Sequence, residues 1–342
     1  MTIWLRSGSR ATTTVLTPAF LAPSETTARM DTATAVNYAP QTAAGWAVLP
    51  ELRCHLGRAP YRLQQLVEAK TIADATEKFV LSHGRTAHYI LIVASCIEPR
   101  AVRRNADRMR LAKRALSQNL GRVIELPVAE GEYGGRSYAL WRMRKPLSTN
   151  RLLFALQRAM LAPSVLQWLC DAATETLHRG DPLIYAAHLQ RLLNVPGLSD
   201  SVRASAEGAQ RAFQTNEIAP LSVLQHGDLW IGNVLRAKGR REFTLIDWAG
   251  ATTDGFPFFD LVKFACSIGA TAKEMRQLVE RYSAAVHCAS RTAIAYVLAG
   301  LGRLHGELEH FPEERFIALC EQKCGALHAA LGDLGSPMTA AA

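Results

Sequence analysis

Three polar side chains in the segment 222–260 have the types and spacing that phosphoryl transfer requires. Asn233 follows five residues after Asp228, and Asp247 comes after a short predicted hairpin. One carboxylate can orient a hydroxyl group and take its proton, while an amide oxygen and a second carboxylate can hold Mg²⁺. We therefore predict that Asp228 is the catalytic base and that Asn233 and Asp247 are metal ligands.

The sequence around these residues predicts the elements that bring them together. In order, these are a short strand SVLQ (222–225), the loop HGDLWIGN (226–233), and a hairpin of VLRA (234–237) and FTLID (243–247). Asn233 then begins the hairpin and Asp247 ends it. Both side chains can therefore lie on one side of a cleft, next to Asp228 on the loop.

This motif is similar to the signature of the aminoglycoside phosphotransferase and choline kinase-like family, which runs His-Gly-Asp, four residues, Asn, then Asp after a hairpin. The resemblance implies a protein-kinase-like fold and transfer of the ATP γ-phosphoryl group to a hydroxyl of a small molecule. It also implies that His226 and Gly227 support the catalytic loop. Asp260 would buttress that loop, because the segment 255–261 matches the family's Gly-x-Pro-x-x-Asp-Leu.

The rest of the chain predicts two lobes around this segment. Residues 46–145 show three short strand-like runs, a helix and two further strands, which is the element order of a kinase small lobe. The predicted fold class is α+β and bilobal, with a small, mainly antiparallel β N-lobe and a larger, mostly helical C-lobe. The predicted domains are a disordered or targeting tail (1–45), the N-lobe (46–145), the C-lobe (146–332) and a flexible tail (333–342).

Several individual elements follow from local patterns. The interval 122–133 predicts a strand paired with 135–144, and 200–214 predicts a helix. The intervals 151–161 and 164–180 predict two separate helices, with Ser164 as the N-cap of the second and Gly180 as its stop. Three helical segments, 272–289, 291–310 and 313–332, should close the C-lobe.

The predicted N-lobe, which should bind the nucleotide, departs from the kinase sequence pattern. The third predicted strand, HYILIVAS, carries no lysine for the phosphates, and the loop 71–77 has no glycine to let backbone amides approach them. Lys78 or Lys70 could replace that lysine, and Met143 lies in a predicted hinge for adenine. The departures leave open a second hypothesis, a pseudokinase-like binding or scaffold protein with a degenerate ATP site.

The amino-acid composition limits the other ligands, partners and cellular locations that the protein could have. The 342 residues are 49% hydrophobic and 20% charged, with a net charge of +9, which fits an anionic ligand such as ATP. The basic cluster in 100–114 is best explained as a solvated helix face, so we do not expect nucleic acid as a partner. Seven dispersed cysteines predict reduced thiols and a cytoplasmic location. No apolar run approaches the roughly 20 residues of a membrane span, so we predict no membrane segment.

Overall fold

The computed structural model describes residues 43–56, 60–67, 76–237, 239, 241–307 and 312–332. The predicted N-terminal tail is therefore described only from Ala43, where a helix begins. The predicted tail at 333–342 and Lys70 lie outside the described residues. The chain divides into two compact units, one made of residues up to Ala106 together with Glu125–Gln157, the other of Asp107–Ile124 together with the residues from Arg158 onward.

The first unit is built on an antiparallel sheet in the order β1-β2-β3-β5-β4. Its elements are α1 (Ala43–Val48), α2 (Arg53–Leu56), β1 (Arg62–Val67), β2 (Thr76–His83), β3 (Thr86–Ala94), the first part of α3 (Ala101–Arg114), β4 (Ala129–Tyr133) and β5 (Arg136–Arg142). The three strands, the helix and the strand pair occur in the predicted order. The α+β class is confirmed.

Alternation of buried residues explains why this sheet forms. Phe79 and Leu81 of β2 are fully buried and pack with Leu91 and Val93 of β3, as period-two alternation requires. Val48 covers the same cluster from α1. The predicted strand over 122–133 is shorter than expected, because a 3₁₀ turn (Leu120–Val123) precedes it and regular pairing begins only at Ala129.

The second unit is mainly helical. It contains the remainder of α3, most of α4 (Arg151–Thr176), β6 (His178–Arg179), α5 (Pro182–Leu193), α6 (Asp200–Gln214), β7 (Leu221–Gln225), β8 (Val234–Arg236), β9 (Phe243–Leu245), β10 (Thr252–Gly255), α7 (Phe259–Ser267), α8 (Ala272–Ala285), α9 (Ala293–Glu307) and α10 (Glu313–Leu331). Helix α6 has the predicted bounds. Its N-cap is Ser199, whose hydroxyl accepts from the Val202 N–H at 3.3 Å.

The prediction of two helices over 151–180 is wrong, because α4 is continuous from Arg151 to Thr176 with Pro163 inside it. A proline lacks the N–H that would bond the carbonyl four residues earlier, and it usually breaks a helix. Here buried side chains on both sides of it, including Leu161 and Val165, hold the two halves in line. Ser164 is therefore interior rather than an N-cap, and Gly180 follows β6 instead of ending the helix.

Helix α4 is also long and apolar enough to cross a membrane by length and composition alone. The pair formed by α8 and the segment 290–307 passes the same test when the two are taken together, although they are bent by 105°. Core helices of globular proteins meet these criteria too, and 33% of the apolar window of α4 is buried. The finding is weak evidence for a span.

Candidate active site

The loop that carries Asp228 is tied to the start of α7 by one buried carboxylate. Asp260 is 6% exposed, and its Oδ2 accepts from the His226 N–H at 2.5 Å while Oδ1 accepts from the Gly227 N–H at 3.0 Å. Burial raises the pKa of Asp260, while the two amide donors and the Lys263 ammonium group act in the opposite direction. The carboxylate satisfies two consecutive amides just before Asp228.

His226 connects this loop to the β8–β9 hairpin. The ring is 1% exposed, and burial lowers its pKa, so it is neutral. Nδ1 accepts from the Asp228 N–H at 3.3 Å, which places the proton on Nε2, and Nε2 donates to the Ile246 carbonyl at 3.0 Å. The ring also packs on Trp248, with 4.4 Å between centroids. His226 thus spans from the backbone of Asp228 to the residue before Asp247.

Gly227 is required by its backbone and its surroundings. Its φ is +84°, and a Cβ there would lie 2.6 Å from the Gly250 carbonyl oxygen. Gly84 shares the positive φ, at +60°, but its missing Cβ would meet nothing within 4 Å. Comparing alanine substitutions at Gly227 and Gly84 therefore separates the free-energy cost of a left-handed backbone from the cost of the contact with Gly250.

We expect Gly227→Ala to destabilise the protein more than Gly84→Ala. The left-handed backbone should cost both variants about 1–2 kcal/mol, and the contact with Gly250 should add about 1–3 kcal/mol in Gly227→Ala alone. Urea denaturation of both purified variants measures the difference. Equal losses of unfolding free energy would show that the loop accommodates a methyl group.

Asn233 and Asp247 occupy the positions that the sequence predicts. Asn233 is buried at the end of a 3₁₀ turn (Ile231–Asn233). Its Nδ2 donates to the Asp228 carbonyl oxygen at 2.8 Å and to Asp228 Oδ2 at 3.3 Å. Because both partners are acceptors, the amide nitrogen of Asn233 must face them. The Ile246 N–H donates to the Asn233 carbonyl at 3.1 Å, which sets the backbone beside Asp247.

Asp247 is exposed and has a φ of +65°. Left-handed backbone at a residue other than glycine is uncommon, and such residues cluster at functional sites. An amide oxygen and a carboxylate suit a hard cation such as Mg²⁺, which keeps several waters in its own shell. Within the described residues no group of three His, Cys, Asp or Glu could hold a metal ion, so a metal here would depend on the amide oxygen as well.

Lys263 is a contact of Asp228 that the sequence did not reveal. Its Nζ lies 2.5 Å from Asp228 Oδ1 and 3.3 Å from the Gly227 carbonyl oxygen. Lys263 is one turn after Asp260 on α7, so the two side chains share a helix face. This spacing was a usable signal, but only once a helix beginning at Phe259 is recognised.

The predicted nucleotide-binding residues lie in the first unit. Lys78 is on β2 opposite Ile92, and β3 contains no lysine, as its sequence indicates. Met143 follows β5, and its N–H donates to the His88 carbonyl at 2.7 Å. Because that N–H is already paired, a contact of Met143 with adenine would have to use its carbonyl oxygen or side chain.

Comparisons with known proteins agree with this architecture. The model of a phosphotransferase enzyme family matches residues 4–296. A thermostable mutant of aminoglycoside phosphotransferase APH(4)-Ia is 17% identical, with 82% of this chain and 98% of that chain covered and a TM-score of 0.50. Choline kinase LicA from Streptococcus pneumoniae is 15% identical, with coverages of 83% and 99% and a TM-score of 0.51. No curated protein matches the chain.

The chain belongs to the phosphotransferase enzyme family, since the family model covers most of its length. The resemblance inferred from His226, Gly227, Asp228 and Asn233 is confirmed, and so is the kinase-like fold. The enzyme class is that of an ATP-dependent phosphotransferase with an alcohol group as acceptor. The similarity to solved structures is in fold, because their sequence identity is low.

Proposed function

We propose that this enzyme transfers the γ-phosphoryl group of MgATP to a hydroxyl of a small molecule of the sugar, amino sugar or amino alcohol type. Asp228 is the catalytic base, and Asn233 and Asp247 hold Mg²⁺. The observation that carries the proposal is one hydrogen-bond network: Asn233 Nδ2 holds the Asp228 carbonyl, and His226 joins the Asp228 amide to the residue before Asp247.

In the proposed reaction Asp228 both orients the acceptor hydroxyl and takes its proton. The acceptor hydroxyl donates to Asp228, its oxygen forms a bond to the γ-phosphorus, and the bond from that phosphorus to the β–γ bridging oxygen breaks. The hydroxyl proton passes to Asp228 late in the transfer, and ADP leaves with the bonding electrons. Mg²⁺, when bound, neutralises charge on the phosphate oxygens.

Two further assignments belong to this proposal. Lys78 contacts the ATP phosphates in place of the lysine missing from β3, and Met143 contributes to the adenine site. The enzyme works in the cytoplasm, which is supported by seven cysteines that are all free thiols.

The test is turnover of ATP against a panel of hydroxyl metabolites, with Mg²⁺ or with excess chelator. With Mg²⁺ we expect a phosphorylated product and ADP in equal amounts. With excess chelator we expect neither. A thermal-shift titration should show stabilisation by MgATP, because a ligand that binds the native state raises the unfolding temperature.

The absence of a lysine from β3 favours one competing function, a pseudokinase-like binding or scaffold protein. That protein would give neither turnover nor stabilisation by MgATP. Such a result would reject the kinase proposal and support the scaffold.

A further inference from the structure

One face of helix α7 contacts the loop HGDLWIGN (226–233) at three points. Asp260, Lys263 and Ser267 are spaced i, i+3 and i+7, so their side chains share this face. Asp260 accepts from the first two amides of the loop, and Ser267 Oγ accepts from the Ile231 N–H at 3.0 Å. Helix α7 therefore holds the loop near both of its ends, and Lys263 lies between these two anchors.

Lys263 hydrogen-bonds to a side chain of the loop, whereas Asp260 and Ser267 accept from its backbone amides. The Lys263 Nζ donates to Asp228 Oδ1 at 2.5 Å and to the Gly227 carbonyl oxygen at 3.3 Å. One ammonium group thus holds both the Asp228 carboxylate and the peptide group that precedes it. The direction of the carboxylate is therefore tied to the backbone of its own loop.

The Asp228 carboxylate is held at both of its oxygens. Lys263 binds Oδ1, and the Asn233 Nδ2 lies 3.3 Å from Oδ2. The lysine contact is the shorter of the two and is assisted by charge on both partners, so it is the stronger restraint. A carboxylate has about four acceptor positions, and two contacts leave positions for the hydroxyl of an acceptor.

The Lys263–Asp228 pair differs from an ordinary surface ion pair. Exposed pairs contribute little, because water screens them and both side chains remain free to move. Here the Lys263 side chain is 18% exposed, and it extends from a helix that Asp260 binds to the same loop. The Asp228 side chain is 37% exposed and stays open to a substrate. The pair therefore joins a fixed cation to an accessible carboxylate.

We propose that Lys263 is a positioning residue of phosphoryl transfer, which directs the Asp228 carboxylate toward the acceptor hydroxyl. This inference rests on the proposed function, because Lys263 acts through Asp228 as the base. Lys263 keeps its proton throughout the transfer, and Asp228 takes the proton of the hydroxyl. A base that is already oriented acts faster than one that must first turn toward the reacting group.

Three substitutions of Lys263 test this role in the full-length enzyme. Lys263→Met removes the charge but keeps an unbranched apolar stem, which suits the apolar side chains Val262, Leu301 and Leu319 that line a small cavity together with Lys263. Lys263→Arg keeps the charge, and Lys263→Ala leaves a space beside Asp228 for an added amine. Lys273→Met, at an exposed position of α8, is the control.

Steady-state kinetics with MgATP measure the effect, with glucose, glucosamine and ethanolamine as the sugar, amino sugar and amino alcohol probes. We expect Lys263→Met to lower kcat by about 10–100-fold, the effect of one hydrogen bond to a charged group, with the KM for ATP unchanged. Lys263→Arg should recover part of this loss, because a guanidinium group also donates to a carboxylate. Lys273→Met should turn over like the wild type.

Chemical rescue separates the ammonium group from the rest of the side chain. Ethylammonium added to Lys263→Ala should raise kcat until it saturates, because the amine occupies the space that the truncated side chain leaves. The same concentrations should leave the kcat of Lys273→Met unchanged. The thermal midpoint of every variant is measured in parallel, which distinguishes loss of activity from loss of fold.

Four results would overturn the proposal. Wild-type turnover that Lys263→Met leaves unchanged would reject the role and keep the kinase proposal. A raised KM for ATP with unchanged kcat would assign the lysine to the nucleotide. A lowered thermal midpoint with a parallel loss of kcat, restored by neither arginine nor ethylammonium, would show a purely structural contribution. A wild type that phosphorylates none of the three probes would reject the proposed function, and this role with it.

Discussion

Asp228→Asn should lower kcat by about 10²–10⁴-fold, which is the contribution of a positioned general base. The amide has almost the same shape as the carboxylate, so the site keeps its packing, although the amide oxygen can accept from only one of the two donors, Lys263 and Asn233. It cannot take the hydroxyl proton, however, and phosphoryl transfer should slow while the KM for ATP changes little. Steady-state kinetics at saturating MgATP measure the effect.

The matched control for this prediction is Asp107→Asn on α3. The Asp107 side chain is 61% exposed and pairs with Arg110 at 3.0 Å, an arrangement that contributes little to stability. Its kcat should equal that of the wild type. Wild-type turnover in Asp228→Asn would remove Asp228 from the chemistry, whereas a normal thermal midpoint with lost turnover would support its role.

Asp260→Ala should lower the unfolding free energy by about 2–5 kcal/mol. The substitution leaves the amides of His226 and Gly227 buried without their acceptor, and both amides precede Asp228. Because the loop then loses its attachment to α7, kcat should fall as well, although Asp260 itself does not contact the acceptor in the proposed mechanism.

Asp254→Ala provides the comparison for this loss. Asp254 is on β10, is 72% exposed and contacts His178 at 3.1 Å. Its removal should change the unfolding free energy by less than about 1 kcal/mol, as for other exposed pairs. Chemical denaturation of both variants, with kcat measured on the folded fraction, tests the prediction. A similar small loss for Asp260→Ala would mean that water replaces the carboxylate at the two amides.

The residues around Asp228 form two groups, one buried and one more exposed to solvent. His226, Asn233 and Asp260 are buried and make hydrogen bonds to backbone groups, so they position the loop. Asp228 and Asp247 are more exposed, which suits the substrate and metal contacts proposed for them. Catalytic groups held by buried partners of this kind need little reorganisation on reaction.

Local sequence patterns determined the positions of the proposed catalytic and metal-binding residues. Asp228, Asn233 and Asp247 lie on a strand, loop and hairpin whose order is visible in the spacing, because each of these elements is short and local. Helix α6 was predicted to the residue for the same reason, since a serine N-cap and a 3.6-residue apolar period both act within the segment.

Tertiary structure decided the features that depend on distant packing. Helix α4 continues through Pro163 because buried contacts outweigh the local preference of proline to end a helix. Lys263 of α7 meets Asp228 across 35 residues of sequence. The spacing of Asp260 and Lys263 places both on one face of α7, but that this face meets the Asp228 loop follows from tertiary packing. The proposed chemistry could therefore be inferred from the sequence, whereas the contact of Lys263 with Asp228 required the fold.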